Sequence, residues 1–144
     1  MIAVDTNVLI YAHRKDSEFH KSAGEVLTLL AEGSSPWAVP VFCLGEFLRV
    51  ITHPRVFNNP HTPREAAKGL SHLLASPSVQ VLNPGAEFPT LLQKTIDTHR
   101  LRGNLVFDAQ IVAVCVEHGV GKIVSEDKDF LRFSELTVET LDTV

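Results

Sequence analysis

Residues 1–10 read MIAVDTNVLI, with one acid, Asp5, in an otherwise almost wholly apolar decapeptide. "IAVD" reads as a short buried strand. "TNVLIYAHRK" after it reads as a helix with Thr6 or Asn7 as N-cap. A strand that passes through an acid into a helix is the opening of an α/β unit. An isolated buried carboxylate loses its water, so it must be paired, protonated or bound to a metal. Asp5 therefore needs partners from elsewhere in the chain.

The pattern of that opening repeats outward along the sequence. From Ser17 to about Glu32, Phe19, Ala23, Val26, Leu27 and Leu30 recur at helical spacing, and Gly33 follows as a stop. "PWAVP" predicts a second strand, and "VFCLGEFLRVITH" a helix that ends before Pro54. The loop "RVFNNPHTP" leads into "TPREAAKGLSHLLAS", where Thr62 is the N-cap and Pro63 takes the first helical position. "VQVL" predicts a third strand. Helices over Glu87 to Leu101 and Asn104 to His118 follow, then "KIVS" as a fourth strand and "LTVETL" as a fifth at the edge. Short apolar strands alternating with helices predict an α/β fold on a mainly parallel sheet of about five strands.

Composition narrows the function classes. The 144 residues fit one domain, 1–144, with a single sizeable core. Hydrophobic residues at 44% and charged residues at 21% exclude an unfolded chain. No apolar run reaches the roughly 18 residues of a membrane span, and the N-terminus carries no signal-peptide pattern, so the expected location is the cytoplasm. Cys43 and Cys115 sit in apolar helical patterns without neighbouring ligands at zinc spacing, which predicts buried free thiols. The net charge of −4, from 17 acids against 13 Lys and Arg, argues on its face against nucleic acid. If four of those acids line one metal pocket, the remaining 13 balance the basic residues, and the objection lapses.

Four acids stand in unexpected places. In open parallel sheets, ligands bind beyond the carboxyl ends of the strands. Asp5 ends the first strand and "SEDKD" (Ser125 to Asp129) ends the fourth, so both emerge on one rim. Glu46, in "VFCLGEFLRV", and Asp108, in "NLVFDAQIVAVCV", lie on helices with little polar cover. Apolar residues surround Asp108 on every side, the mark of a buried helix. Its early position points its side chain back toward the helix start. Each acid has a plain structural reading: Asp5 as a helix cap, Glu46 paired with Arg49 for about 0.2–0.5 kcal/mol, Asp108 on the positive end of a helix dipole for about 0.3–1 kcal/mol, and the last run as a solvated loop. Together, however, carboxylates repel one another and raise each other's pKa values unless a cation is present. Asp and Glu without Cys or paired His suit a hard ion, Mg²⁺ or Mn²⁺, over zinc. Such a site can activate water and stabilise charge on a phosphoryl group, which points to phosphodiester hydrolysis.

The segments "AVDTNVLIYA", "GEFLRV", "VFDAQIVA" and "SEDKDF", in that order, make the chain similar to the PIN-domain ribonucleases, and especially to the VapC toxins of toxin–antitoxin modules. The resemblance implies a three-layer PIN-like sandwich and a metal-dependent endoribonuclease with an acidic quartet. Carried over by position, the quartet is Asp5, Glu46, Asp108 and Asp127, with Asp129 as the alternative to Asp127. Asp127 is preferred because a hydroxyl residue, Ser125, stands two places before it, as often in the family. Thr6 and Ser125 match supporting hydroxyl positions, and Asn7 a residue that steadies the loop. The implied chemistry is in-line attack on an RNA phosphate by water that Mg²⁺ activates. The resemblance also implies a homodimer and a cognate antitoxin protein that occupies the active-site groove. In the region "PWAVPVFCLGEFLRVITHPRVF" many relatives carry a more polar lead into the Glu46 helix, so this apolar face is either a dimer or antitoxin contact or buried core, core being preferred.

A polyanion in an acidic groove needs cations at the rim. Arg14, Arg49, Arg102 and Lys128 are the RNA-binding candidates. The seven His show no paired ligand spacing and read as surface residues. An aspartate after the first strand also opens aspartyl-phosphate enzymes, but haloacid-type phosphatases carry a second Asp where Asn7 stands, and a receiver domain needs neighbouring acids before its own. The alternative from another class is a PIN-like module that binds RNA or a partner without catalysis; for it, Asp5→Asn leaves cellular function unchanged.

Overall fold

The opening apolar run forms β1 (Ile2–Val4), and Asp5 behind it caps α1 (Thr6–His13). The structure, a computed structural model, describes residues 1–144. The cap is Asp5 rather than Thr6 or Asn7. Asp5 keeps the extended backbone of the strand, φ −79° and ψ 160°, which frees its carboxylate to accept the Thr6 N–H at 2.8 Å. The first helix also stops earlier than its apolar pattern suggests, because Arg14 turns extended. α2 (His20–Glu32) starts three residues after Ser17, whose hydroxyl accepts the Phe19 N–H at 3.1 Å and holds a turn in place of helix.

The remaining elements follow the expected order: β2 (Trp37–Pro40), α3 (Val41–Ile51), α4 (Pro63–Leu74), β3 (Val79–Leu82), α5 (Phe88–His99), α6 (Leu105–Glu117), β4 (Lys122–Val124) and β5 (Thr137–Glu139). At α4 the Thr62 hydroxyl accepts the Glu65 N–H while the Glu65 carboxylate accepts the Thr62 N–H, a complete capping box with Pro63 in the first turn. Gly103, at φ 63°, turns the chain between α5 and α6 in a conformation that most side chains resist.

All four strand pairings are parallel, in the order β3-β2-β1-β4-β5. The chain builds outward from β1 through β2 to β3, then returns across the sheet to place β4 on the other side of β1. The order therefore reverses between β1 and β4, where a crevice opens at the carboxyl ends of a parallel sheet. Val4 lies opposite Val124 in that pairing, so Asp5 and Ser125 leave the sheet side by side.

Helices flank the sheet: α1 contacts α2 and α3, α3 contacts α4, and α5 lies along α6. Within the "PWAVPVFCLGEFLRVITHPRVF" stretch, Trp37, Ala38, Val39, Cys43, Phe47 and Ile51 are buried in the core. Six residues of α6 between Ala109 and Cys115 are buried as well. No helix is long and apolar enough to cross a membrane.

Candidate metal centre

Asp5 lies beneath the crevice, 5% exposed, and its two carboxylate oxygens have separate duties. Oδ1 accepts the Thr6 N–H and Oδ2 accepts the Ser125 hydroxyl at 2.7 Å. The same Ser125 oxygen accepts the Asp127 N–H at 3.0 Å and the Asn7 side-chain amide at 3.3 Å. One hydroxyl thus ties the end of β1 to the loop after β4. These bonds lower the Asp5 pKa, but burial outweighs them, and with the charges of Glu46 and Asp127 lifts it to about 6.

The other acids arrive from three elements. Glu46 comes from the middle of α3, Asp108 from the first turn of α6, and Asp127 and Asp129 from the loop and 3₁₀ turn (Lys128–Arg132) after β4. Asp108, Asp127 and Asp129 each place a carboxylate oxygen within 4.8 Å of the others. Asp127 and its alternative Asp129 thus both reach the place where Asp108 stands. Asp127 Oδ1 accepts the Asp129 N–H at 2.9 Å, which fixes the loop and leaves Oδ2 free. Burial, then Asp127, Asp5, Asp129 and Glu46, push Asp108 up to about 7. Glu46 is raised by burial and Asp127, against the lowering effect of Arg49.

Asp108, Glu46, Asp127 and Asp129 line one cleft of about 670 Å³ between α3 and α6, with Arg49, Gln110 and Phe107 also on its walls. The donor set is all oxygen, which fits a hard divalent cation. Asn7 Oδ1 adds a buried oxygen with no hydrogen-bond partner, an acceptor left over beside the Asp5–Ser125 pair. Both cysteines are buried and free, and burial pushes the Cys115 thiol up to about 12, so neither offers a thiolate. Thr6 supplies the amide that Asp5 caps, while its own hydroxyl oxygen is buried without a partner.

The four basic candidates separate. Arg49 is exposed on the cleft wall. Lys128 is exposed between the two loop aspartates, and Arg102 is exposed two residues before the cleft residue Asn104. Arg14 does not reach the cleft. Its guanidinium binds Asp16 through Nε and Nη2 at 2.9 and 2.6 Å, donates to the Asn59 carbonyl at 2.6 Å, and lies 4.1 Å over the Phe57 ring. It is a buried clip between the end of α1 and the loop before α4. Seven cleft residues are not among the sequence candidates, Phe107 and Gln110 being two of them. Gln110 stands out in the apolar run "NLVFDAQIVAVCV" by its amide, whereas Phe107 does not, since only the fold exposes it.

Comparison with known proteins agrees with this architecture. Residues 2–136 match the PIN domain family. The chain is 35% identical over 136 residues to VapC ribonuclease Mb2897 of Mycobacterium bovis, covering 94% of this chain and 92% of that protein. It is 34% identical to ribonuclease VapC31 of Mycobacterium tuberculosis, covering 94% and 95%. Among solved structures, VapBC2 of Rickettsia felis superposes with a TM-score of 0.71 at 19% identity over 97% of this chain and 98% of that one. VapC20 of Mycobacterium tuberculosis, a sarcin-ricin loop cleaving toxin, gives 0.69 at 23% identity over 94% and 98%.

Proposed function

The chain belongs to the PIN-domain family, among its VapC ribonucleases, and on that premise we propose that it is a Mg²⁺-dependent endoribonuclease (Mn²⁺ serving as well) and the toxin of a toxin–antitoxin module. We read residues 1–144 as one PIN domain that hydrolyses RNA phosphodiester bonds in the cytoplasm. The observation that carries the reading is the meeting of acids from four separate parts of the chain at the β1/β4 reversal.

In this account Asp5, Glu46, Asp108 and Asp127 would hold the cation, with Asp129 beside Asp127 as its alternative. A divalent cation bound there supplies positive charge to the reacting phosphate and makes water more acidic. The chain's own part is to fix the carboxylates. Ser125 orients Asp5 and the Asp127 loop together, and the capped start of α1 keeps Asp5 in place. Arg49 offers a guanidinium to a phosphate on the cleft wall, with Lys128 and Arg102 further out along the RNA. The carboxylates, unscreened, would repel RNA, so a cation held by them would be needed for a phosphate to approach the cleft. A cognate antitoxin over the cleft and a homodimer complete the proposal; the VapBC complexes among the similar structures support the first.

The test is cleavage of single-stranded RNA by the purified protein in Mg²⁺ and in EDTA, with Asp5→Asn alongside. Cleavage in Mg²⁺ that stops with EDTA and in the variant is expected. Cleavage that continues in EDTA would overturn the metal dependence, and an Asp5→Asn variant with full activity would remove Asp5 from the site.

A further inference from the structure

α6 buries six of its residues in the core, yet its third residue, Phe107, is 60% exposed. Single exposed apolar side chains are ordinary on protein surfaces. This one differs in kind and in company. It is the only aromatic among the large apolar side chains left exposed, and it lines the acidic cleft directly beside Asp108. Arg49 stands on the same cleft from α3, and Gln110, one turn along α6 from Phe107, also lines it.

An aromatic face, a cation for phosphate and an amide define the chemistry of an occupant. Any occupant, the antitoxin included, must meet Arg49, Gln110 and the carboxylates with polar groups, so a purely apolar cover is not what the ring awaits. An unpaired nucleobase offers both kinds of surface. It is flat and apolar on its faces, polar at its edge, and attached to a phosphate that the charged end of the cleft can receive. A base inside a duplex has both faces covered by its neighbours and cannot use the ring.

Resting on the ribonuclease reading above, we propose that Phe107 is a substrate-binding residue that stacks one unpaired base beside the phosphate to be cut, with Gln110 facing that base's edge. The cleft then selects RNA that is single-stranded, or splayed open, at the cleavage point. Base–aromatic stacking of this kind is sequence-tolerant, so Phe107 supplies strand selection and Gln110 the base preference.

The experiment uses the full chain with Phe107→Trp as a reporter. The one native tryptophan, Trp37, is 1% exposed and senses little of the surface. Stopped-flow fluorescence in Mg²⁺, read within the first turnover, compares a single-stranded 12-nucleotide RNA with an abasic ribose-phosphate oligomer of the same length. Quenching by the RNA and not by the abasic oligomer is expected. In cleavage assays, Phe107→Ala should lose about 5- to 150-fold in kcat/KM, with recovery in Phe107→Trp and little in Phe107→Leu. Equal response to both oligomers, or unchanged kcat/KM in Phe107→Ala, overturns the stacking role while leaving the ribonuclease reading intact. If wild type cleaves nothing but the base-dependent quenching persists, the hydrolysis reading fails and the stacking stands. If Phe107→Ala changes the oligomeric mass and binds both oligomers as wild type does, the ring belongs to an interface between copies, and the proposal falls.

Discussion

The hydroxyl of Ser125 donates to Asp5 at 2.7 Å and accepts from the Asp127 amide at 3.0 Å, so its removal touches two acids together. Ser125→Ala leaves a buried carboxylate short of a partner that favours its charged form. The Asp5 pKa should rise above about 6, the midpoint of any pH–rate profile that depends on Asp5 should move up, and stability at pH 8 should fall by about 1–3 kcal/mol, read by urea unfolding. Asp108 carries the opposite expectation. Its pKa in the fold, about 7, lies above the ordinary 3.8. The metal-free fold is therefore free of an ionisation cost below about pH 4, acquires it as pH rises, and bears it fully above 7. Asp108→Asn should stabilise the metal-free protein by about 1–2 kcal/mol at pH 8, allowing for the solvent on its half-exposed side chain, and by almost nothing at pH 4. A thermal melt of both proteins at the two pH values checks it; a variant less stable at pH 8 contradicts the strain. Asp5 and Asp108 are legible in the sequence because each is a charge in an apolar stretch. Arg14 is not, because nothing near it in sequence announces that the Asn59 carbonyl and the Phe57 ring will close around it.

Among the elements, β1 and β4 matter most, since their parallel pairing sets Asp5 beside Ser125. The alternation of strands and helices reveals those elements and their order along the chain, but the reversal is not legible, since five parallel strands can also lie in simple succession. Boundaries are less legible. The turn held by Ser17 and the capping by Asp5 depend on hydrogen bonds that the apolar periodicity does not encode. The pairing of α3 with α6 across a cleft is also invisible in sequence, and with it the company of Arg49, Gln110 and Phe107. Arg14 and Arg49 make a direct comparison at this scale. Arg14→Lys gives up the two-point contact with Asp16 and the stack on Phe57, so it should cost stability, about 1–2 kcal/mol, and leave the salt dependence of RNA binding unchanged. Arg49→Ala should leave stability nearly unchanged and flatten the slope of log affinity against log salt by about 1. A flatter slope in Arg14→Lys would return that residue to the RNA.

Taken whole, the molecule spends stability on its site. Setting aside the five acids at the crevice leaves 12 of the 17 against 13 Lys and Arg, a nearly neutral body around a strongly negative cleft. A cation that binds only the folded state repays that cost by mass action. Because Asp5 and Asp108 titrate near 6 and 7, cation affinity should rise as pH passes from 5 to 8. The most direct measurement is a calorimetric titration of the protein with Mn²⁺ at pH 6, in two buffers of different ionisation heat, for wild type and Asp108→Asn. The account predicts saturable binding by wild type with release of about one to two protons, and greatly weakened binding with fewer protons released by the variant. No saturable binding by wild type, or equal affinity and equal proton release in both proteins, would contradict a metal centre built from these acids.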